Sequence, residues 1–131
     1  MTVKLKYFAI EDEIYHKSFH LFVDIPKEAF KNWLSEVHKQ DISEDLRNRF
    51  KDAKAMMLWG YSPLYYLWIE EFNWSIKHQC VLIHEISHHV DWVLNNAGIP
   101  LDWENSEVRA YYLEYLVKKV YDKLRVFHRE V

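Results

Sequence analysis

One five-residue string contains side chains of the types that bind a zinc ion and activate a water molecule on it. His84-Glu85-Ile86-Ser87-His88 places two imidazoles four residues apart. On a helix, residues at that spacing lie one above the other with Cβ atoms roughly 5–6 Å apart, so both rings can bind the same Zn²⁺. Glu85 projects to one side of the pair, where its carboxylate can take a proton from a zinc-bound water. The string predicts a zinc site, and zinc alone does not make an enzyme.

The string must lie on a helix, and the surrounding residues predict one over 73–97. Asn73 is a suitable N-cap, no proline interrupts the segment, and Gly98 followed by Pro100 forms a stop signal. The apolar residues of this helix fall on one broad arc that consists of Ile76, Ile83, Ile86, Val90, Val93 and Leu94.

His84, His88 and Asp91 form a separate stripe beside that apolar arc, where a metal in a cleft would lie. Asp91 is in line with both histidines, so it is a candidate for an acceptor that fixes the tautomer of an imidazole, for a ligand or for a simple helix salt link. His89 points to a different side and is not expected to bind metal. Cys80, at the edge of the arc, is expected to be a buried and inert thiol.

A catalytic zinc site needs a third protein ligand and an open position for water. Glu107 follows His88 after eighteen intervening residues and begins an E-x-x-A string near the start of another predicted helix. Here the chain resembles the gluzincins, zincin metallopeptidases in which a glutamate on a second helix follows H-E-x-x-H. The resemblance implies that His84, His88 and Glu107 bind Zn²⁺ and that Glu85 is the general base. Glu104, one turn earlier, is the alternative third ligand.

The wider pattern also includes residues 88–91, Gly98-Ile99 and residues 107–111. In this it resembles small H-E-x-x-H proteins of phages and prophages, described as metallopeptidases, and more loosely the ImmA/IrrE-type zincins. The resemblance covers about residues 76–124. It implies a minimal zincin-like domain and a peptide or protein substrate.

Peptide hydrolysis also needs a donor for the developing oxyanion, commonly a tyrosine or histidine opposite the metal. Tyr111 and Tyr112, a turn after Glu107, are candidates for this role. The sequence does not rank them above three other tyrosines, which are Tyr61, Tyr65 and Tyr66.

Length and composition predict one domain over residues 1–131, with 50% hydrophobic and 17% aromatic residues and too few glycines and prolines for a disordered chain. The net charge of −3 and the lack of a basic stripe give no reason to expect nucleic acid. No apolar run approaches membrane-spanning length, and the N-terminus lacks the pattern of a signal peptide. Cys80 is the only cysteine, which excludes an intrachain disulfide. We expect a cytoplasmic protein.

The periodicity of the chain predicts an α+β fold, with a small, mostly antiparallel sheet, a packing helix and two long helices that meet at the metal site. The predicted elements are a hairpin of strands 2–10 and 14–23, a helix that starts at Pro26, a short helix over 41–51, antiparallel strands 53–59 and 64–72, and a last helix over 102–129. The zincin resemblance implies that an extended peptide pairs with an exposed sheet edge, at residues 64–69 or the neighbouring strand.

Two functions follow from these features. The first is a zinc-dependent hydrolase, a metallopeptidase with a zinc-activated water. The alternative is a non-catalytic zincin-like binding module, with a structural or vestigial metal and an aromatic surface that binds a protein. A fourth protein ligand, for which Asp91 is the obvious candidate, would close the site and favour the binding module.

Overall fold

A computed structural model describes residues 4–129, with side chains for residues 4–127. The strands are β1 (Phe8–Ile10), β2 (Phe19–Val23), β3 (Ala55–Tyr61) and β4 (Leu64–Ile69). The α-helices are α1 (Lys27–His38), α2 (Glu44–Phe50), α3 (Ile76–Asn96) and α4 (Ser106–Arg129), with a 3₁₀ turn at Trp103–Asn105 before α4. None of the helices described is both long enough and apolar enough to cross a membrane.

The described strands form one sheet in the order β1-β2-β4-β3. The pairs β1–β2 and β3–β4 are antiparallel, whereas β2 and β4 run parallel. This small, mostly antiparallel sheet with its two long helices confirms the predicted α+β class. Because β4 is paired on both sides, residues 64–69 are excluded as the edge that receives a peptide. The neighbouring strand, β3, lies at the edge of the sheet.

Helices cover both faces of the sheet. Successive side chains of a strand point to opposite faces, and β4 shows the result: Tyr65 and Leu67 pack with α3 and α4, whereas Tyr66 and Trp68 pack with α1. Helix α1 is the predicted packing helix, and its buried residues recur at helical spacing: Phe30, Trp33 and Leu34. Helix α3, which contains His84 and His88, and its neighbour α4 therefore pack on the same face of the sheet.

Helix α3 has hydrogen-bonded caps at both ends. The Ser75 hydroxyl accepts from the backbone N–H of His78, so the helix begins after Ser75 and not at Asn73. At the other end Gly98 adopts a left-handed conformation with φ of 78°. The N–H groups of Gly98 and Ile99 return to carbonyls of the last turn, which is the Schellman arrangement. The predicted stop at Gly98 is confirmed.

The first two strands are shorter than predicted. β1 begins at Phe8 and β2 at Phe19, whereas the alternating pattern predicted strands from residues 2 and 14. Residues 2 and 3 lie outside the described part of the chain. Ile14 and Tyr15, which the pattern placed in the second strand, belong to a loop.

The Asp12 carboxylate organises that loop. It is buried, and it accepts hydrogen bonds from the backbone N–H groups of Ile14, Tyr15 and Lys17 and from the Tyr112 hydroxyl at 2.6 Å. Burial alone would raise the pKa of Asp12, but these hydrogen bonds outweigh it and hold the pKa below its usual value. The carboxylate gives the backbone an alternative to strand pairing, which the hydrophobic pattern did not reveal.

The predicted burial of Cys80 is wrong, because this thiol is exposed. Ile76, at 76% exposure, and Ile83, at 36%, also depart from the expected apolar arc. Cys80 lies one turn before His84 and one turn after Ile76, in a row of exposed residues four apart.

Candidate metal centre

The imidazoles of His84 and His88 converge on the exposed face of α3. Their Nε2 atoms lie 3.0 Å apart, and the two ring planes are nearly perpendicular at 87°. The four-residue spacing brings the rings together on consecutive turns, as predicted. The two Nε2 atoms therefore face a common point.

Glu85 lies beside this pair, with one carboxylate oxygen sealed from solvent. Its Oε2 atom has no hydrogen-bond partner among the described residues. Burial raises the pKa of Glu85, while His88, His84 and Arg49 act in the opposite direction without cancelling the effect. A buried, unpaired carboxylate oxygen is costly unless a ligand or proton satisfies it.

These three groups fit a zinc ion. One donor atom from each of His84, Glu85 and His88 lies within 4.8 Å of the others. Two ligands at about 2.0–2.1 Å on neighbouring tetrahedral corners are roughly 3.3 Å apart, close to the observed separation of the two Nε2 atoms. Neutral imidazole is a preferred zinc donor, and the unpaired Glu85 oxygen provides a polar group at the metal's side.

Neither predicted third ligand belongs to this group. Among residues 4–129 it consists of His84, Glu85 and His88 alone. Glu107 is exposed in the first turn of α4, and Glu104 is exposed in the preceding 3₁₀ turn. The start of α4 does lie against α3, but Glu107 is about 200° around the helix from the residue that makes this contact, Arg109. A ligand role for Glu107 stays a prediction.

Asp91 forms the salt link that was one of its three predicted roles. Its Oδ1 accepts from Nε of Arg109 at 2.6 Å, and the same guanidinium donates to the Ser87 hydroxyl at 3.2 Å. Asp91 is not among the grouped metal donors. Its carboxylate joins α3 to α4, beside the histidine pair.

The prediction that Tyr112 is an oxyanion donor is wrong. Its side chain is 2% exposed, and its hydroxyl donates to Asp12 inside the core. Tyr111, the neighbouring candidate, is 67% exposed and stays a prediction. Among the three others, Tyr65 is buried against α3 and Tyr66 bonds to the His38 ring, whereas Tyr61 lines a surface cavity.

His89 has a structural role that the sequence did not reveal. It is fully buried and faces away from the pair, as expected. Its Nδ1 accepts from the indole N–H of Trp59 at 3.1 Å, and its Nε2 lies 3.0 Å from the Lys17 carbonyl, to which it donates. Burial lowers the pKa of His89 to about 4, so the ring is neutral. Trp59 also stacks on Trp92, and these contacts hold β3 beside α3.

A cleft of about 380 Å³ opens between the edge of β3 and helix α3. Glu85 and His88 form one wall, Met57 and Trp59 belong to the strand, and Arg49 of α2 closes the far side. No sequence signal identified Arg49, because its approach depends on how α2 packs. Phe50, fully buried in the core, fixes that packing.

Comparisons with protein-family models, curated proteins and solved structures gave no match. The chemistry of the site therefore rests on its geometry. Two imidazoles, an unpaired carboxylate and a cleft along a sheet edge can bind a divalent metal, move a proton and accommodate an extended ligand.

Proposed function

We propose that the chain is a zinc-dependent hydrolase, a metallopeptidase with Glu85 as general base. The observation that carries this proposal is the convergence of His84 Nε2 and His88 Nε2 beside the unpaired Oε2 atom of Glu85. The proposed zinc ligands are His84 and His88, with Glu107 as the third. Bound zinc supplies a Lewis acid that acidifies water and polarises a carbonyl.

Glu85 moves the proton in this proposal. Its carboxylate, which lines the cleft, accepts a proton from the attacking water and delivers it to the nitrogen of the leaving amine. A carboxylate whose pKa is raised by burial is a stronger base, and its protonated form persists closer to neutral pH. Both properties suit a group that must first take and then return a proton.

The cleft supports a peptide as the substrate. β3 is at the sheet edge, and the backbone groups on its outer side have no strand partner in the described part of the chain. An extended peptide satisfies such groups by adding a strand. That strand would pass between Glu85 of α3 and Arg49 of α2. A cytoplasmic location remains part of the proposal and rests on the single cysteine.

The test is Glu85→Gln, measured by zinc content and by release of amines from a casein digest. The substitution keeps the size of the side chain but removes its basicity, so we expect zinc binding to be unchanged and turnover to fall at least about 100-fold. Activity within a fewfold of the original protein would contradict the mechanism. Zinc titration of Glu107→Gln, with Glu104→Gln as its control, tests the third ligand, and we expect affinity to fall at least about tenfold for Glu107→Gln alone.

The second candidate is a binding module that acts through an aromatic surface. Trp103 is 90% exposed and Leu101 is 57% exposed, and both line a cavity of about 340 Å³ before α4. Large exposed apolar side chains of this kind mark interaction sites.

Acetohydroxamate binding separates the two candidates. A hydrolytic zinc site keeps an open position that a small chelating ligand can take, whereas a structural site is closed by protein ligands. Calorimetric binding of acetohydroxamate to the zinc-loaded protein, but not to the zinc-free protein, favours the hydrolase. Stoichiometric zinc without such binding favours the module.

A further inference from the structure

Arg49 is the cationic side chain of the cleft, and its charge acts on Glu85 without a direct ion pair. The guanidinium is exposed, and the described residues give it neither a hydrogen bond nor an ion pair within 4 Å. By contrast, Arg109 is bound to Asp91, and Arg47 in the same helix donates from Nε to the Ile42 carbonyl. Arg49 is thus available to a ligand.

Arg49 lies where two cavities meet. The cleft that contains Glu85 and His88 shares Arg49 and Trp59 with a second cavity of about 290 Å³ on the α2 side of β3. Together the two cavities follow the edge of the chain from Ala53, just before β3, to Tyr61 at its end. A strand-like ligand on this edge would therefore pass the guanidinium.

In the metal-free protein, the charged side chains along this groove favour an anionic group at one place. Asp41 and Asp45 line the second cavity, and Glu85 lines the first. Arg49 is the one lysine or arginine that lines either cavity among the described residues. A carboxylate is therefore attracted at the junction and repelled on both sides of it.

We propose that Arg49 determines specificity by binding a carboxylate of an extended peptide on the edge of β3. This inference rests on the proposed peptide substrate of the same cleft. A guanidinium and a carboxylate form paired, charge-assisted hydrogen bonds with a fixed geometry. Such a contact sets the register of the peptide relative to Glu85. The carboxylate comes from the C-terminus of the peptide or from an acidic side chain.

The experiment is an NMR titration of the ¹⁵N-labelled protein with four acetylated pentapeptides, carried out in EDTA. Ac-Val-Thr-Val-Thr-Val is used as the free acid and as the carboxamide. Ac-Val-Thr-Glu-Thr-Val and Ac-Val-Thr-Gln-Thr-Val are used as carboxamides. The first pair tests a C-terminal carboxylate and the second pair an acidic side chain. Because no metal is present, the result does not depend on zinc or on turnover.

We expect the acid of at least one pair to bind about tenfold more tightly than its neutral partner, with shifted resonances in β3, α2 and α3. Arg49→Gln should remove this preference and leave the affinity of the neutral peptide within twofold. Arg49→Lys should retain part of it. Arg47→Gln removes the same charge from α2, about half a helical turn from Arg49, and should leave the preference intact.

Three results would overturn the inference. These are equal affinity for acid and neutral peptides, an equal loss for both in Arg49→Gln, and tighter binding of inorganic phosphate than of any peptide. An absence of turnover in Glu85-intact, zinc-loaded protein would reject the hydrolase but not this inference. Conversely, hydrolysis with no carboxylate preference would reject the inference and leave the hydrolase.

Discussion

At the scale of single residues, His88 and His89 are adjacent but have opposite roles. His88 is exposed and faces His84, whereas His89 is buried and bonded to Trp59 and Lys17. In EDTA, we expect His88→Ala to change the free energy of unfolding by less than about 0.5 kcal/mol. His89→Ala should lower it by about 2–4 kcal/mol, because it leaves a cavity and two polar groups without partners.

Urea denaturation and zinc titration of both variants check this contrast. His88→Ala should lose zinc binding, and His89→Ala, where folded, should keep it. Similar losses of stability in the two variants would show that the assigned roles are incorrect.

At the scale of elements, the two glycines of the chain separate backbone conformation from packing. A Cβ atom built at Gly60 or at Gly98 meets nothing within 4 Å, but only Gly98 has a left-handed φ, of 78°. We expect Gly98→Ala to cost about 1–2 kcal/mol of unfolding free energy, since an L side chain disfavours that conformation. Gly60→Ala should be neutral or slightly stabilising. Thermal unfolding of both variants measures the difference, and equal effects would count against the assigned C-cap of α3.

Features that depend on one helix could be predicted from the sequence, whereas features that depend on how elements pack could not. The spacing of His84 and His88 predicted their convergence, because a helix fixes the geometry between neighbouring turns. The side on which Glu107 and Tyr112 point depends on how α4 rotates against the sheet, and the E-x-x-A string does not contain that information. The position of Arg49 depends on the packing of a separate short helix through Phe50.

At the scale of the whole molecule, the stability of the fold should depend on pH, because His89 is buried with a neutral ring. The pKa of His89 is about 4 in the folded protein, against an ordinary value of 6.5. The unfolded chain therefore binds the proton first as pH falls, so the contribution of His89 is complete above pH 6.5 and is lost progressively towards pH 4. The difference of 2.5 pKa units corresponds to about 3 kcal/mol.

Urea denaturation of the Glu85→Gln variant in EDTA between pH 7.5 and pH 4.5 measures this loss without bound zinc and without Glu85, whose raised pKa acts in the opposite direction. Asp12, whose pKa is lowered, adds a further loss only at still lower pH, where its carboxylate becomes protonated. A stability that is constant down to pH 4.5 would contradict a buried, neutral His89.

The hydrogen bond between Asp12 and Tyr112 joins positions one hundred residues apart. The Tyr115 hydroxyl accepts from the Glu13 amide next to it, so the N-terminal loop rests on the last helix. During synthesis, the loop emerges from the ribosome long before the helix that completes it. Until α4 has emerged, the Asp12 carboxylate lacks its tyrosine and the sheet face lacks half of its cover. The domain therefore completes its fold only after α4 has been synthesised, and a chain that stops before Tyr112 leaves the N-terminal loop without these two contacts.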